Sequence, residues 1–151
     1  MMKRLRLFGL LMAAAVLFGG VESAQNDEPE FAAELTGVAE VPGPGDLDGS
    51  GSVTIRLNKV NAEACFEIAV EGIDPATAAH IHEAPEDKAG PVVVTLMPSP
   101  EDEEGESECV SVNPLLIERM VMNPSNFYVN VHNEKFPDGA IRGQLSMVKD
   151  D

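Results

Sequence analysis

The chain has 151 residues, of which 10 are Lys or Arg and 26 are Asp or Glu, giving a net charge of −16. So acidic a surface repels the phosphates of nucleic acid and anionic membrane faces, so neither is expected as a partner, whereas cations are drawn towards it. The length suits a single domain built on one core.

Lys3, Arg4 and Arg6 precede an apolar run from Leu7 to Phe18, which small and polar residues follow. That is the layout of a cleaved secretory signal peptide, expected over residues 1–24 with the cut near Ser23 or Ala24. The run is shorter than the ~20 residues a helix needs to cross a bilayer, no later stretch is longer, and no cysteine follows it, so no membrane anchor is expected. Cleavage removes three basic residues and one acidic one, which leaves seven against 25 and a net charge near −18. The expectation is a secreted or periplasmic protein with a short disordered start over 25–30 and one domain over 31–148, its oligomeric state left open.

Short alternating segments then follow one another at 31–40, 52–57, 64–70, 78–82, 92–96, 109–112, 127–132 and 140–147, punctuated by Gly, Pro, Asn and Asp. Val53, Ile55 and Leu57 fall on one side of such a segment and Ser52, Thr54 and Arg56 on the other, the alternation of a half-buried strand. Regular short strands with turn residues between them predict an all-β fold, a Greek-key-like β-sandwich or barrel. One stretch departs from the pattern. Pro114 followed by apolar Leu115, Ile117, Met120 and Val121 predicts a short helix over 114–122 that stops before Asn123-Pro124 and plugs one end of the sandwich. Residues 45–51 alternate aspartates ahead of a glycine as calcium loops do, but the twelfth position from Asp46 is Leu57 and no flanking helices are expected, so a plain turn is predicted. The acidic run 101–104 is expected to be a solvated loop.

Cys65 and Cys109 are the two cysteines. Phe66, Ile68 and Val70 read as a core face, leaving Cys65 outward, and Val110 with Val112 do the same for Cys109. An exported chain with an even count favours a disulfide between them, worth about 4 kcal/mol by loop-closure entropy; a thiolate pair on a metal is the alternative.

All three histidines lie in two of the strands, as His80-Ile81-His82 and Tyr128-Val129-Asn130-Val131-His132. Alternation puts His80 and His82 on one face with bases about 7 Å apart, close enough for both rings to converge on one ion. Val129 and Val131 read as core, which sends His132, Asn130 and Tyr128 to the face turned away from it. Three imidazoles displayed there predict a metal site of His80, His82 and His132. Imidazole-only ligation suits copper or zinc and leaves positions open for water or substrate. Asn130 has the parity to orient His132, Tyr128 shares that face, and Glu83 could add a fourth ligand if the strand ends there.

The segments AHIHEAPEDKAGPVVVTL and FYVNVHNEKFPDGAIRGQL resemble the CHRD domain family, named after chordin and found also in many bacterial secreted proteins. The resemblance runs from Phe31 to Met147, with Ala84 and Asp87 standing where the family usually has glycines. The histidine arrangement further resembles the copper site of copper/zinc superoxide dismutases, which likewise uses a His-X-His strand and a third strand histidine on the outside of a β-sandwich. That likeness makes copper the first expectation and zinc the alternative. It also gives Arg142, outward on the strand after His132, a catalytic role in attracting superoxide to the metal, a salt bridge to a carboxylate being the plainer role. The expected function is superoxide dismutation or copper handling; the alternative is an extracellular binding or assembly module without catalysis.

Overall fold

The computed structural model describes residues 28–96 and 108–149. The expected signal peptide and the acidic run 101–104 lie outside the described residues. Nine strands form one antiparallel sheet: β1 Glu30–Thr36, β2 Ser50–Asn58, β3 Glu63–Glu71, β4 Ala76–Glu83, β5 Val92–Leu96, β6 Glu108–Ser111, β7 Phe127–Asn133, β8 Ile141–Gln144 and β9 Ser146–Met147. Their order across the sheet is β5-β4-β7-β8-β1-β2-β3-β6, with β9 added to β1. β1, β2 and β3 form a meander; β4 then starts the opposite half, and β7 and β8 return to lie between β4 and β1.

Core-facing residues from both halves meet in one cluster. Phe31 and Leu35 of β1, Val53, Ile55 and Leu57 of β2, Ala64 and Phe66 of β3, Ala79 and Ile81 of β4, Leu96 of β5 and Phe127, Val129 and Val131 of β7 all belong to it. A sheet whose two ends share a core has curled over on itself into a nearly closed barrel, and the all-β architecture with one helix is as the sequence predicts. Each fully buried aliphatic or aromatic side chain here stabilises the fold by roughly 1.5–3 kcal/mol, so the curl is held by dispersed apolar burial.

The helix α1 spans Pro114–Met122, with Pro114 in its first turn and the Asn113 side chain accepting the Leu115 N–H at 2.9 Å. Its buried face is Leu116, Ile117 and Met120, while Leu115 is 63% exposed. Positions i, i+1 and i+4 share the helix face that meets the core, and Leu115 lies about 100° away from its neighbour Leu116. Arg119 ties α1 to the end of β4 through a two-pronged pair with Glu83, at 3.2 and 3.1 Å.

Other boundaries move for identifiable reasons. The first strand ends at Thr36, and Gly37–Ala39 form a 3-10 turn, because the Gly37 carbonyl receives the Gly45 N–H of a crossing loop at 2.8 Å. The last segment splits into β8 and β9 where the Leu145 N–H bonds the Phe127 carbonyl and its side chain enters the core. Of the start expected to be disordered over 25–30, residues 25–27 lie outside the described residues; Pro29 accepts the Leu57 N–H, and Glu28 accepts from Asn58. Within 45–51, residues 46–49 form the expected turn ahead of β2, closed by the Gly49 N–H on the Asp46 carbonyl at 3.1 Å, with one Asp46 carboxylate oxygen accepting the Asp48 N–H at 3.3 Å. Cys65 and Cys109 face each other across β3 and β6 and are joined in a disulfide, Cα to Cα 4.0 Å.

Candidate metal centre

In β4 the side chains of Ala79 and Ile81 enter the core, which turns His80 and His82 to the opposite face. In β7 Val129 and Val131 do the same for Tyr128, Asn130 and His132. The register pairs His80 with Asn130, Ala78 with His132 and His82 with Tyr128, so His132 sits diagonally across from His80. Diagonal neighbours in adjacent strands are within reach of long side chains. The His80 ring centroid is 4.8 Å from that of His132 and 5.7 Å from that of His82. Each histidine offers one ring nitrogen such that the three lie within 4.8 Å of one another, the one such cluster of potential ligands among the described residues.

The ring tautomers follow from backbone acceptors. A carbonyl oxygen can only accept, so His82 donates Nδ1–H to the Gly90 carbonyl at 2.8 Å and His132 donates Nδ1–H to the Pro137 carbonyl at 3.0 Å. Both rings therefore carry their lone pair on Nε2 when neutral. His82 Nε2 is buried and has no hydrogen-bond partner. His80 Nδ1 stands 2.9 Å from His132 Nε2. Two imidazole nitrogens bound tetrahedrally to one ion at about 2.0–2.1 Å are about 3.3 Å apart, so the pair need open only by a few tenths of an ångström to admit a metal. Burial, and then the charges of the neighbouring imidazoles, lowers the pKa of His80; burial likewise lowers that of His132 against the raising pull of the Pro137 carbonyl. Both effects favour the neutral ring that ligation requires.

The face that holds the histidines is open in part: His80 and His132 are half-buried, and the rest of the face is covered. His82 is 9% exposed, and Tyr128, Asn130 and Arg142 are buried although their parity is outward. The connection between β4 and β5 folds back over His82, Tyr128 and Arg142 as a second layer. Arg142 holds it down: its Nη2 lies 3.2, 3.1 and 3.0 Å from the carbonyls of Pro85, Glu86 and Lys88. The Arg142 guanidinium rests on the Tyr128 ring, 3.4 Å to its centroid, and the other neighbour of Tyr128 is His82, stacked at 4.7 Å with 8° between planes. Tyr128 Oη accepts the Gly90 N–H at 3.2 Å, and the Gly90 carbonyl orients His82. A run of contacts thus leads from Arg142 through Tyr128 to His82 and its unpartnered Nε2. A side chain at residue 90 would collide with the Glu83 carbonyl and Ala84, which is why glycine occupies the position where the covering loop closes on β4.

Of the other residues marked in the sequence, Asn130 reaches His132, its Oδ1 being 3.0 Å from Nε2. Glu83 ends β4 but is engaged by Arg119 and lies outside the histidine cluster. The sequence reading missed Glu40. It is 5% exposed beside Asn130 and Arg142, and burial outweighs the Arg142 charge and two hydrogen bonds to raise its pKa to about 7. Nothing in the sequence marks one glutamate among 26 acidic residues; a glutamate leading into the turn 41–44 is the only local oddity.

The model of the CHRD domain matches residues 31–145. The chain is a member of the CHRD domain family, as the two histidine-bearing segments indicate. No curated protein and no solved structure matches it.

Proposed function

We propose that this CHRD domain is an exported metal-handling protein that holds one copper ion between His80, His82 and His132, zinc being the alternative ion. The observation that carries the reading is the commitment of two Nδ1–H groups to the Gly90 and Pro137 carbonyls, which leaves lone pairs on Nε2 and one of those, on His82, buried without a partner. Metal-bound imidazoles ordinarily donate their second nitrogen to such an acceptor, and a buried lone pair without a donor is costly unless an ion or proton fills it. Export is supported by the signal-like residues 1–24, by the disulfide and by the occurrence of the family in secreted proteins.

Handling is favoured over superoxide dismutation by the position of Arg142. A guiding cation must present its charge to an arriving anion, whereas this guanidinium is 1% exposed and donates to loop carbonyls. The test is elemental analysis of the protein purified after export, joined to a superoxide assay of the copper-loaded form. About one copper per chain with no more activity than a copper-peptide complex supports handling; metal-free protein that takes up neither copper nor zinc overturns the reading.

A further inference from the structure

Among the described residues three buried side-chain atoms have no hydrogen-bond partner: His82 Nε2, Glu40 Oε1 and Arg142 Nη1. The first faces the metal centre. The other two belong to a polar pocket behind it, in which the Glu40 carboxyl lies against the Cα of Gly139 and bonds the Asn130 amide. The groups that face Glu40 are few. Arg142 of β8 supplies a positive charge, β7 supplies the neutral Asn130 amide, and the β7–β8 connection supplies Gly139, where a positive φ of 141° and the absent side chain make room for the carboxyl.

Hydrogen-bond polarity links this pocket to the metal. His132 has given its Nδ1–H to Pro137, so the Nε2 of its neutral ring offers only a lone pair. That lone pair takes a hydrogen from His80 or from the Asn130 NH2 group; it repels the Asn130 oxygen. With the NH2 group turned to His132, the amide oxygen faces Glu40 and needs a donor, which the carboxylic acid form of Glu40 provides and its carboxylate does not. With a metal on Nε2 the amide faces the other way: its oxygen lies on the metal side and its NH2 group donates to Glu40, now a carboxylate. The two ends of an amide have nearly the same shape, so turning it over needs no repacking. The orientation in the structure, Oδ1 at 3.0 Å from Nε2, is the one a metal-bearing or protonated ring requires.

We propose that metal capture by His80, His82 and His132 expels a proton from Glu40, the Asn130 amide turning over between them. The balance is one metal ion taken up and the Glu40 proton released to solvent, with no change in oxidation state. Burial supports the coupling by keeping a substantial share of Glu40 in the acid form near neutral pH, despite Arg142. Glu40 acts through Asn130 and His132 and is a positioning residue. The inference rests on the proposed metal site.

The experiment is calorimetric titration of the purified full chain with zinc, a redox-silent probe, at pH 6.5 in two buffers of different ionisation enthalpy, which counts protons released per ion. The wild type should release about 0.75 proton more than Glu40→Gln, the fraction of a group near pH 7 that is protonated at pH 6.5. Protons lost by the histidines are common to both proteins and cancel. Equal proton release with zinc bound to both overturns the coupling and leaves the metal site standing; absence of zinc and copper binding by the wild type overturns both. Should Glu40→Gln not fold, the unmutated protein decides: its infrared difference spectrum on zinc loading should lose a buried carboxylic-acid carbonyl band, and a band that persists refutes the proposal.

Discussion

Replacement of Arg142 separates an anchoring role from an anion-guiding one. Its Nη2 carries two hydrogens shared among three carbonyls, so about two charge-assisted bonds exist at a time. Each contributes about 1.5–3 kcal/mol net. Contact of the desolvated guanidinium with the Tyr128 face adds about 1–2 kcal/mol. Arg142→Ala should therefore cost roughly 4–8 kcal/mol, close to the entire stability of many domains. Arg142→Lys is the informative variant, since it keeps the positive charge but not the flat group that stacks on Tyr128 and presents a fixed fork. A loss of about 2 kcal/mol is expected for it, or about 8 °C in Tm for a domain of this size. Because Gly90 and Tyr128 orient His82, copper affinity should fall about tenfold, as it does when groups that orient a metal-bound histidine are disturbed. The assays are thermal unfolding in chelator and copper titration of the folded variant. A lysine variant within 0.5 kcal/mol and twofold of wild type would refute the anchoring argument, because charge alone would then suffice.

Reduction of the Cys65–Cys109 bridge should lower stability by up to about 4 kcal/mol by release of its loop, with copper affinity retained because the bridge joins β3 to β6 and neither cysteine belongs to the histidine cluster on β4 and β7; urea titrations with and without reductant measure it. For Glu40, the folded pKa of about 7 lies above the unfolded 4.5, so the native state binds more protons between them; this contribution is fully present below about pH 4.5 and is lost as pH rises through about 7. The metal-free wild type should thus lose up to about 3 kcal/mol between pH 4.5 and 8 that Glu40→Gln does not lose, and parallel stability profiles would contradict the burial argument. The lowered pKa values of His80 and His132 act in the opposite sense, raising stability as pH climbs towards 6.5, and they cancel in the difference between the two proteins.

The alternation of side chains made the two histidine strands legible. Ile81, Val129 and Val131 had to face the core, and His80, His82 and His132 therefore shared the other face. The same reasoning placed Cys65 opposite Cys109. Alternation says which side of a sheet a residue occupies, however, and not what lies above that side. Tyr128, Asn130 and Arg142 have the outward parity expected of them and are buried all the same: the β4–β5 connection covers Tyr128 and Arg142, and Asn130 lies between His132 and Glu40. That layer is held by carbonyls of Pro85, Glu86, Lys88 and Gly90, and backbone carbonyls leave no mark in a sequence. Glu40 was illegible for the related reason that its surroundings come from β7, β8 and the loop at Gly139, all remote along the chain. The inward face of α1 was not legible either: several apolar residues in a nine-residue helix permit more than one inward face, and contact with the core selects Leu116, Ile117 and Met120.

Copper titration of the purified protein beside a variant carrying His80→Ala, His82→Ala and His132→Ala tests the metal centre most directly. The wild type should bind one ion tightly, with affinity falling below about pH 6 as the imidazoles take up protons. The triple variant, folded and with its disulfide intact, should show no such site. Equal binding by the two proteins would contradict the account.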